Sequence, residues 1–246
     1  MKKHLFAVGL LAVFCGRAAA MHPLITEDTG FLGKGGRQAE IGYEYSAAEE
    51  GTDVYSRSLA AEVSCGLNDR TDLLLTVPFG GWSSAGTSED GLGDLALDAK
   101  FQVAEKAGWA FALKPGLSLP TGDDKKGLGA GKSAYWVYGV AGRASGAWQY
   151  YVNAGYLLNK NKAGEKEDIL KASAAAAYEV MEKTLLSVDL AYETNADPAA
   201  ASHPLSSVFG IVWSPKDTLD LDVGVKAGLN DAADDLGLLA GATFRF

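Results

Sequence analysis

From Arg37 to its end the chain repeats one pattern: about ten residues in which apolar side chains alternate with polar or small ones, then a cluster of turn-forming residues. The clearest stretch sets Leu95, Leu97, Ala99, Phe101 and Val103 against Asp94, Ala96, Asp98, Lys100 and Gln102. Another sets Leu219, Leu221, Val223 and Val225 against Asp220, Asp222, Gly224 and Lys226. Successive side chains of a β-strand point to opposite faces, so a period of two means one apolar and one polar face. The pattern predicts twelve strands, at 37–46, 53–65, 72–82, 92–104, 109–120, 134–144, 147–158, 168–180, 184–194, 204–213, 218–228 and 236–246.

Alternation alone fits a soluble two-sheet sandwich equally well. Three regularities favour a closed barrel that crosses a membrane. The connections after even-numbered strands are tight, as at Glu105–Gly108 and Ser145-Gly146, whereas those after odd-numbered strands are mostly longer and polar, as at Ser83–Gly91, Thr121–Ser133 and Asn159–Glu167. Short periplasmic turns opposite longer extracellular loops are the habit of outer-membrane barrels. On that up-and-down path the aromatics fall into two belts. Tyr43, Tyr45, Phe79, Tyr135, Tyr156 and Tyr192 lie near the extracellular strand ends. Phe101, Trp109, Phe111, Trp148, Tyr150, Tyr178, Trp213, Phe244 and Phe246 lie near the periplasmic ends, as expected of rings at two membrane–water interfaces. Finally, Leu238, Ala240, Ala242, Phe244 and Phe246 give the last strand an apolar face closing on an aromatic. That ending resembles the signal read by the outer-membrane assembly machinery, with Phe244 and Phe246 as its rings. An even, closed set of strands also leaves no unpaired backbone in lipid. The expected fold is all-β: a transmembrane antiparallel up-and-down barrel of twelve strands over residues 37–246.

The first twenty residues read as a secretory signal: basic Met1-Lys2-Lys3-His4, an apolar run Leu5–Phe14 and a small-residue stretch ending Ala18-Ala19-Ala20. The run is shorter than the roughly 20 residues a spanning helix needs. Cys15 lacks the small preceding residue of a lipidation site. Cleavage after Ala20 removes Lys2, Lys3 and Arg17 and no acid, moving the formal charge from −9 to −12. So acidic a chain is a poor nucleic-acid binder. Only Cys65 would remain, which excludes a scaffold held by internal disulfides. Thirty glycines and the absence of a long apolar run in the mature chain fit many short strands.

If the aromatic-bearing face meets lipid, the opposite face lines the lumen. It carries Glu40, Glu44, Glu62, Asp94, Asp98, Lys100, Lys114, Asp189, Glu193, Asp220, Asp222, Lys226 and Arg245. The excess of acids would bias a wet lumen toward cations or neutral solutes; alternatively the charges pair across a narrow barrel and fill it. Small inward residues, Ala110, Ala112, Gly116, Ala175, Ala177, Gly224 and Gly228, leave room for a path. The facing of strand 134–144, with Arg143, and of Arg57 is open, because both registers of the sixth strand carry apolar residues. The lead-in, residues 21–36, is not strand-like. It is expected either to fold into the lumen as a hatch from the periplasmic side or to trail as a loose periplasmic segment.

No catalytic constellation emerges, so an enzyme is not expected. His22 and His203 lie outside the strands, and a barrel phospholipase would need a histidine beside a serine on its outer wall. Gly127-Leu128-Gly129-Ala130-Gly131-Lys132-Ser133 echoes a phosphate-binding loop but lacks the first glycine at the required spacing and the helix that should follow. Asp123-Asp124 and Asp231–Asp235 read as solvated loop acids rather than calcium ligands, and neither metal nor cofactor is implied.

The mature start His22-Pro23-Leu24-Ile25-Thr26-Glu27-Asp28-Thr29-Gly30, the Gly91-Leu92-Gly93-Asp94-Leu95 stretch, Leu119-Pro120-Thr121-Gly122-Asp123 before Gly127-Leu128-Gly129, and Gly228-Leu229-Asn230-Asp231-Ala232-Ala233-Asp234-Asp235 running into Phe246 follow in an order that resembles the putative MetA-pathway of phenol degradation family. The resemblance covers essentially the whole mature chain. It implies an outer-membrane protein of transporter type, some members being associated with aromatic compounds, and it assigns no substrate-binding residues. The expected function is therefore an outer-membrane channel for passive passage of small solutes, aromatic or hydrophobic compounds among them. Its expected partners are outer-membrane lipid, the barrel assembly machinery and the solute, with no nucleic acid. The competing reading is a closed structural or surface-interaction barrel.

Overall fold

The computed structural model describes residues 22–50 and 52–246. The expected signal peptide, residues 1–20, lies outside the described residues. Among the described residues thirteen strands follow one another: β1 (Arg37–Glu50), β2 (Thr52–Asn68), β3 (Thr71–Ser84), β4 (Thr87–Leu92), β5 (Leu95–Lys106), β6 (Trp109–Leu119), β7 (Tyr135–Ser145), β8 (Trp148–Leu158), β9 (Asp168–Met181), β10 (Thr184–Glu193), β11 (Leu205–Lys216), β12 (Leu219–Gly228) and β13 (Leu236–Arg245). Pairing is antiparallel throughout, and β13 returns to β1, with Gln38 opposite Arg245 and Ala47 opposite Leu236. Phe246 adds one more bond, its N–H donating to the Arg37 carbonyl at 3.1 Å. The sheet therefore closes and has no free seam between its first and last strands.

β4 and β5 are two halves of one stave, since β3 pairs with β5 over Thr71–Thr76 and with β4 over Phe79–Ser84. Counted so, the staves number twelve, and the protein is a closed twelve-stranded antiparallel transmembrane barrel. The break has a local cause. Pro78 has no N–H to donate at the point where β3 changes partner, and its carbonyl instead accepts from Gly93 N at 2.9 Å. The β5–β6 ladder is similarly interrupted between Asp98↔Gly116 and Phe101↔Leu113, alongside Pro115.

One end of the barrel carries only tight turns, at 69–70, 107–108, 146–147, 182–183 and 217–218, and both the start of β1 and the end of β13. At the other end, two connections expected as loops are strands instead. Ser83–Gly91 forms the tip of a hairpin turning at Ala85-Gly86, whose φ angles of 49° and 80° are both positive, as a twist-matched two-residue turn requires. β1 and β2 likewise continue to Glu50 and from Thr52. Beyond the lipid both faces of a strand meet water, so alternation disappears and the sequence reads as loop although the ladder continues. The longer connections are 120–134, 159–167, 194–204 and 229–235.

The alternation translates directly into facing. Ile41, Leu97, Phe101, Val137, Leu190, Phe209, Ile211, Val223 and Leu238 are all exposed on the outer wall. A cluster at the short-turn end stacks Trp148 on Tyr150 (5.8 Å between centroids) and tilts it against Tyr178 (4.7 Å). The sixth stave, β7, resolves its ambiguity with Tyr135 and Val137 outward and Val140 inward, buried to 2 %. Arg143 therefore faces outward at the short-turn rim, where its long stem lets the charge reach water. Arg57 is also outward, exposed and 3.6 Å from Asp90.

Candidate functional site

Residues 22–36 run among the inward-facing side chains of the barrel. Asp189, on β10 and fully buried, accepts three hydrogen bonds from the segment: from Ile25 N at 2.8 Å, Thr26 N at 2.7 Å and Thr26 Oγ1 at 2.8 Å. Asp72 on β3 accepts from Leu32 N at 3.0 Å. His22 Nδ1 lies 2.5 Å from Asp222 Oδ1 on β12. Four neighbouring staves give up a side chain to admit the first two of these residues. A Cβ at Gly42 on β1 would fall 2.8 Å from the His22 ring, and one at Gly241 on β13 would fall 2.5 Å from His22 Nδ1. One at Gly210 on β11 or Gly224 on β12 would fall 2.6 or 2.8 Å from Pro23 Cγ. At three of the small inward residues the space is taken by other groups. Gly224 is filled by Pro23, Gly116 by the Asp98–Trp136 contact and Gly228 by the backbone of Asp234.

At mid-segment Glu27 and Asp28 meet two lysines of the wall. Lys100 on β5 donates to Glu27 Oε1 at 3.1 Å and Asp28 Oδ1 at 2.9 Å, and Lys114 on β6 donates to Glu27 Oε2 at 2.5 Å. Two acids facing two bases balance, which is what permits charges to sit this deep. Two staves along from β6, Asn153 on β8, with its amide turned so that the oxygen faces Glu27 N, holds the Glu27 backbone, accepting from Glu27 N at 2.6 Å and donating to Glu27 O at 3.2 Å. Burial opposes ionisation of Glu27, but Lys114 and Lys100 outweigh it and hold the carboxyl at about 2. Asp28 is pushed the other way, up by burial and the neighbouring Glu27 charge, against the lowering pull of Lys100. Burial also works against the charge of His22, yet the hydrogen bond and charge of Asp222, with Glu40 and Glu44, leave it raised above 6.5.

The other charges expected in the lumen pair mostly with neighbours along the wall rather than across it. Arg245 reaches Asp220 at 2.6 Å, Lys226 reaches Glu44 at 2.9 Å, and Glu193 is matched by Lys171 at 2.8 Å directly opposite it on β9. Glu40 and Glu62 are cross-strand partners, with Thr243 donating to the first and Thr76 to the second. Asp98 accepts from Trp136 Nε1 at 2.6 Å.

Asp94 is the exception. Standing in the break between β4 and β5, it does not line the lumen wall; its two oxygens accept from Gly122 N and Ala130 N, both at 2.8 Å, and hold the 120–134 connection. A Cβ at Gly129 would collide with it, and one at Gly122 would lie 2.4 Å from the Leu128 carbonyl. Asp94, Gly122 and Gly129 thus form one latch at the rim. Thr121 strengthens it, accepting from Leu95 N at 3.0 Å and donating to Gly93 O at 3.0 Å. His203 is accounted for locally, accepting from Asn195 N at 3.0 Å and meeting the Tyr192 ring edge-on.

Lys171, Trp136, Asp72, Asn153 and Thr26 were not among the expected lumen residues. Lys171 sits in an alanine-rich run and Trp136 in the strand of open facing. Asn153, Asp72 and Thr26 became visible only once the position of the segment was known. Above the segment, toward the long loops, lies a cavity of about 460 Å³ lined by Tyr138, Lys171, Glu193, Ser206 and Lys226 together with apolar Ile25, Ala191 and Pro204. Below it lies one of about 150 Å³, bordered by Glu40, Glu62, Asp72 and Lys100.

A closed antiparallel barrel, apolar outside and charged within, with residues 22–36 in its bore, is the fold of a transmembrane β-barrel protein. The chain belongs to the Putative MetA-pathway of phenol degradation family, whose model matches residues 24–246. Among solved structures it is similar to the COG4313 outer membrane channel from Pseudomonas putida F1, at 17 % identity and a TM-score of 0.73, over 89 % of this chain and 98 % of that one. It is also similar to the NanC porin (9 % identity, TM-score 0.59, 85 % and 100 % covered) and the KdgM porin (10 %, 0.55, 84 % and 99 %). No curated protein matches the chain.

Proposed function

We propose that the protein is an outer-membrane channel for passive passage of small solutes, with residues 22–36 acting as a hatch inside its lumen. The observation that carries this reading is the cavity of about 460 Å³ on the long-loop side of the segment, a chamber of ligand size with polar groups set among apolar ones. Its mix of Ile25, Ala191, Tyr192 and Pro204 with lysines and hydroxyls supports small amphipathic or aromatic molecules over large hydrophilic ones. The similar solved proteins are a channel and porins by name, which supports the same role and an outer-membrane location. In this reading the long loops face outside, the tight turns face the periplasm, and the hatch enters from the periplasmic side. Phe244 and Phe246, exposed at that end, serve recognition by the assembly machinery.

A second reading, a closed structural barrel, is favoured by one observation: the segment lies between the two cavities of the bore, held there by buried ion pairs. Single-channel conductance of refolded protein, alongside a variant lacking residues 24–36, separates the two. A channel gives measurable current that rises sharply on deletion. No current from either protein, with no solute entry into liposomes, would leave the structural barrel as the function.

A further inference from the structure

The two cavities lie on opposite sides of the N-terminal segment, and among the described residues three border both: Ile25, Glu27 and Lys114. They form the wall that the two chambers share. Ile25 is fixed by its backbone N–H on buried Asp189, and the Glu27 backbone is fixed on both sides by Asn153. Of the three, Glu27 and Lys114 carry the long charged side chains, each with several rotatable bonds. Resting on the channel reading above, we propose that the Glu27–Lys114 ion pair is the bolt between the two chambers, and that its charges set which solutes pass.

A bolt needs a second arrangement, and one is at hand. Glu62 and Asp98 lie close enough to act on Lys114 electrostatically, and Glu27 keeps Lys100 when Lys114 leaves it. Lys114 can therefore exchange one carboxylate for another without becoming an uncompensated buried charge, which would be costly. Hinging the whole segment out would instead break the Asp189, Asp72 and Asp222 contacts together. Moving one lysine is the smaller step. The bolt also explains how a lumen rich in acids avoids being an open cation path: between the two chambers two acids stand against two bases.

The test uses the full-length refolded protein in planar bilayers under a KCl gradient, comparing wild type, Glu27→Gln, Lys114→Met, Lys171→Met and the variant lacking residues 24–36. Glu27→Gln removes a negative charge from the partition and Lys114→Met a positive one. Both should raise conductance, and they should shift the cation-to-anion permeability ratio in opposite directions, each by about fivefold for a unit charge acting at ~4 Å in water. Lys171→Met, in the chamber wall but not at the partition, should shift it far less. If both partition variants simply match the deletion in conductance and selectivity, the pair is a fastener and the bolt is overturned. Unchanged conductance in both variants, while wild type conducts and the deletion conducts more, also overturns it and leaves the channel reading standing. If neither wild type nor the deletion conducts, the channel reading itself fails and the bolt with it. A fold check by gel migration before and after heating keeps a misfolded variant from being scored as closed.

Discussion

Two irregular segments are held by this barrel, and both are held in the same manner. Residues 22–36 hang from Asp189 and Asp72, and the 120–134 connection hangs from Asp94, in each case by carboxylates of the barrel accepting backbone N–H groups. A carboxylate takes several donors at once, and a segment without secondary structure has unpaired donors to offer, so the match is natural. The surroundings differ. The lumen segment adds a balanced, buried cluster of Glu27, Asp28, Lys100 and Lys114, whereas the rim connection adds exposed pairs, Lys126 with Glu89 at 3.0 Å and Lys162 with Asp124 at 3.1 Å. The same contact should therefore matter far more inside than at the rim, because water competes for it only at the rim.

Mutations can break that comparison. Asp189→Ala should have the largest effect. It removes three charge-assisted bonds, each worth roughly 1.5–3 kcal/mol before water replaces it, and should free the segment, read as faster labelling of an Ile25→Cys thiol by a water-soluble reagent. Next, Gly241→Val should displace His22 by filling its seat, at a cost of about 1–3 kcal/mol for overpacking, with labelling rising at the start of the segment before it rises at residue 25. Asp94→Ala should loosen only the rim, seen as new protease cleavage within 120–134 while segment labelling stays at the wild-type rate.

Acid and base should loosen the segment by different residues. The Glu27 carboxyl is lowered, so its contribution is complete above its ordinary 4.5 and is lost as pH falls toward about 2. His22 is raised, so its contribution is complete below 6.5 and is lost as pH climbs through its elevated value. Retention of the segment should then be greatest in mildly acidic solution, and His22→Gln should remove the alkaline limb alone; an unchanged alkaline limb in that variant would disprove the assignment. The smallest effect belongs to Lys126→Ala. Glu89 raises that lysine at an exposed site, and loss of the pair should leave thermal stability and rim cleavage within error.

The barrel was legible because lipid imposes a simple rule on each residue separately: Leu219, Leu221 and Val223 must face outward, and their neighbours must not. The same rule placed Glu40, Lys100, Lys114, Asp189 and Asp222 inside without any knowledge of their partners. It failed at Asp94, where Pro78 interrupts the ladder and frees the carboxylate for a loop, and at Ser83–Gly91, where strands run beyond the lipid and no longer alternate. It was silent on β7, where Tyr135 and Trp136 are equally acceptable to lipid and only the bond from Trp136 to Asp98 decides.

Stave number, the facing of the staves other than β7 and the charge of the bore were thus determined by the sequence itself, because each follows from a local period of two. Which charges meet was decided only by the tertiary structure. Glu27 and Lys114 are far apart in the chain, and His22 finds Asp222 across most of its length; such contacts depend on where a segment with no period of its own comes to rest. That position is set by the shape of the lumen, by glycines on four neighbouring staves and a buried carboxylate. No pattern within residues 22–36 could specify it.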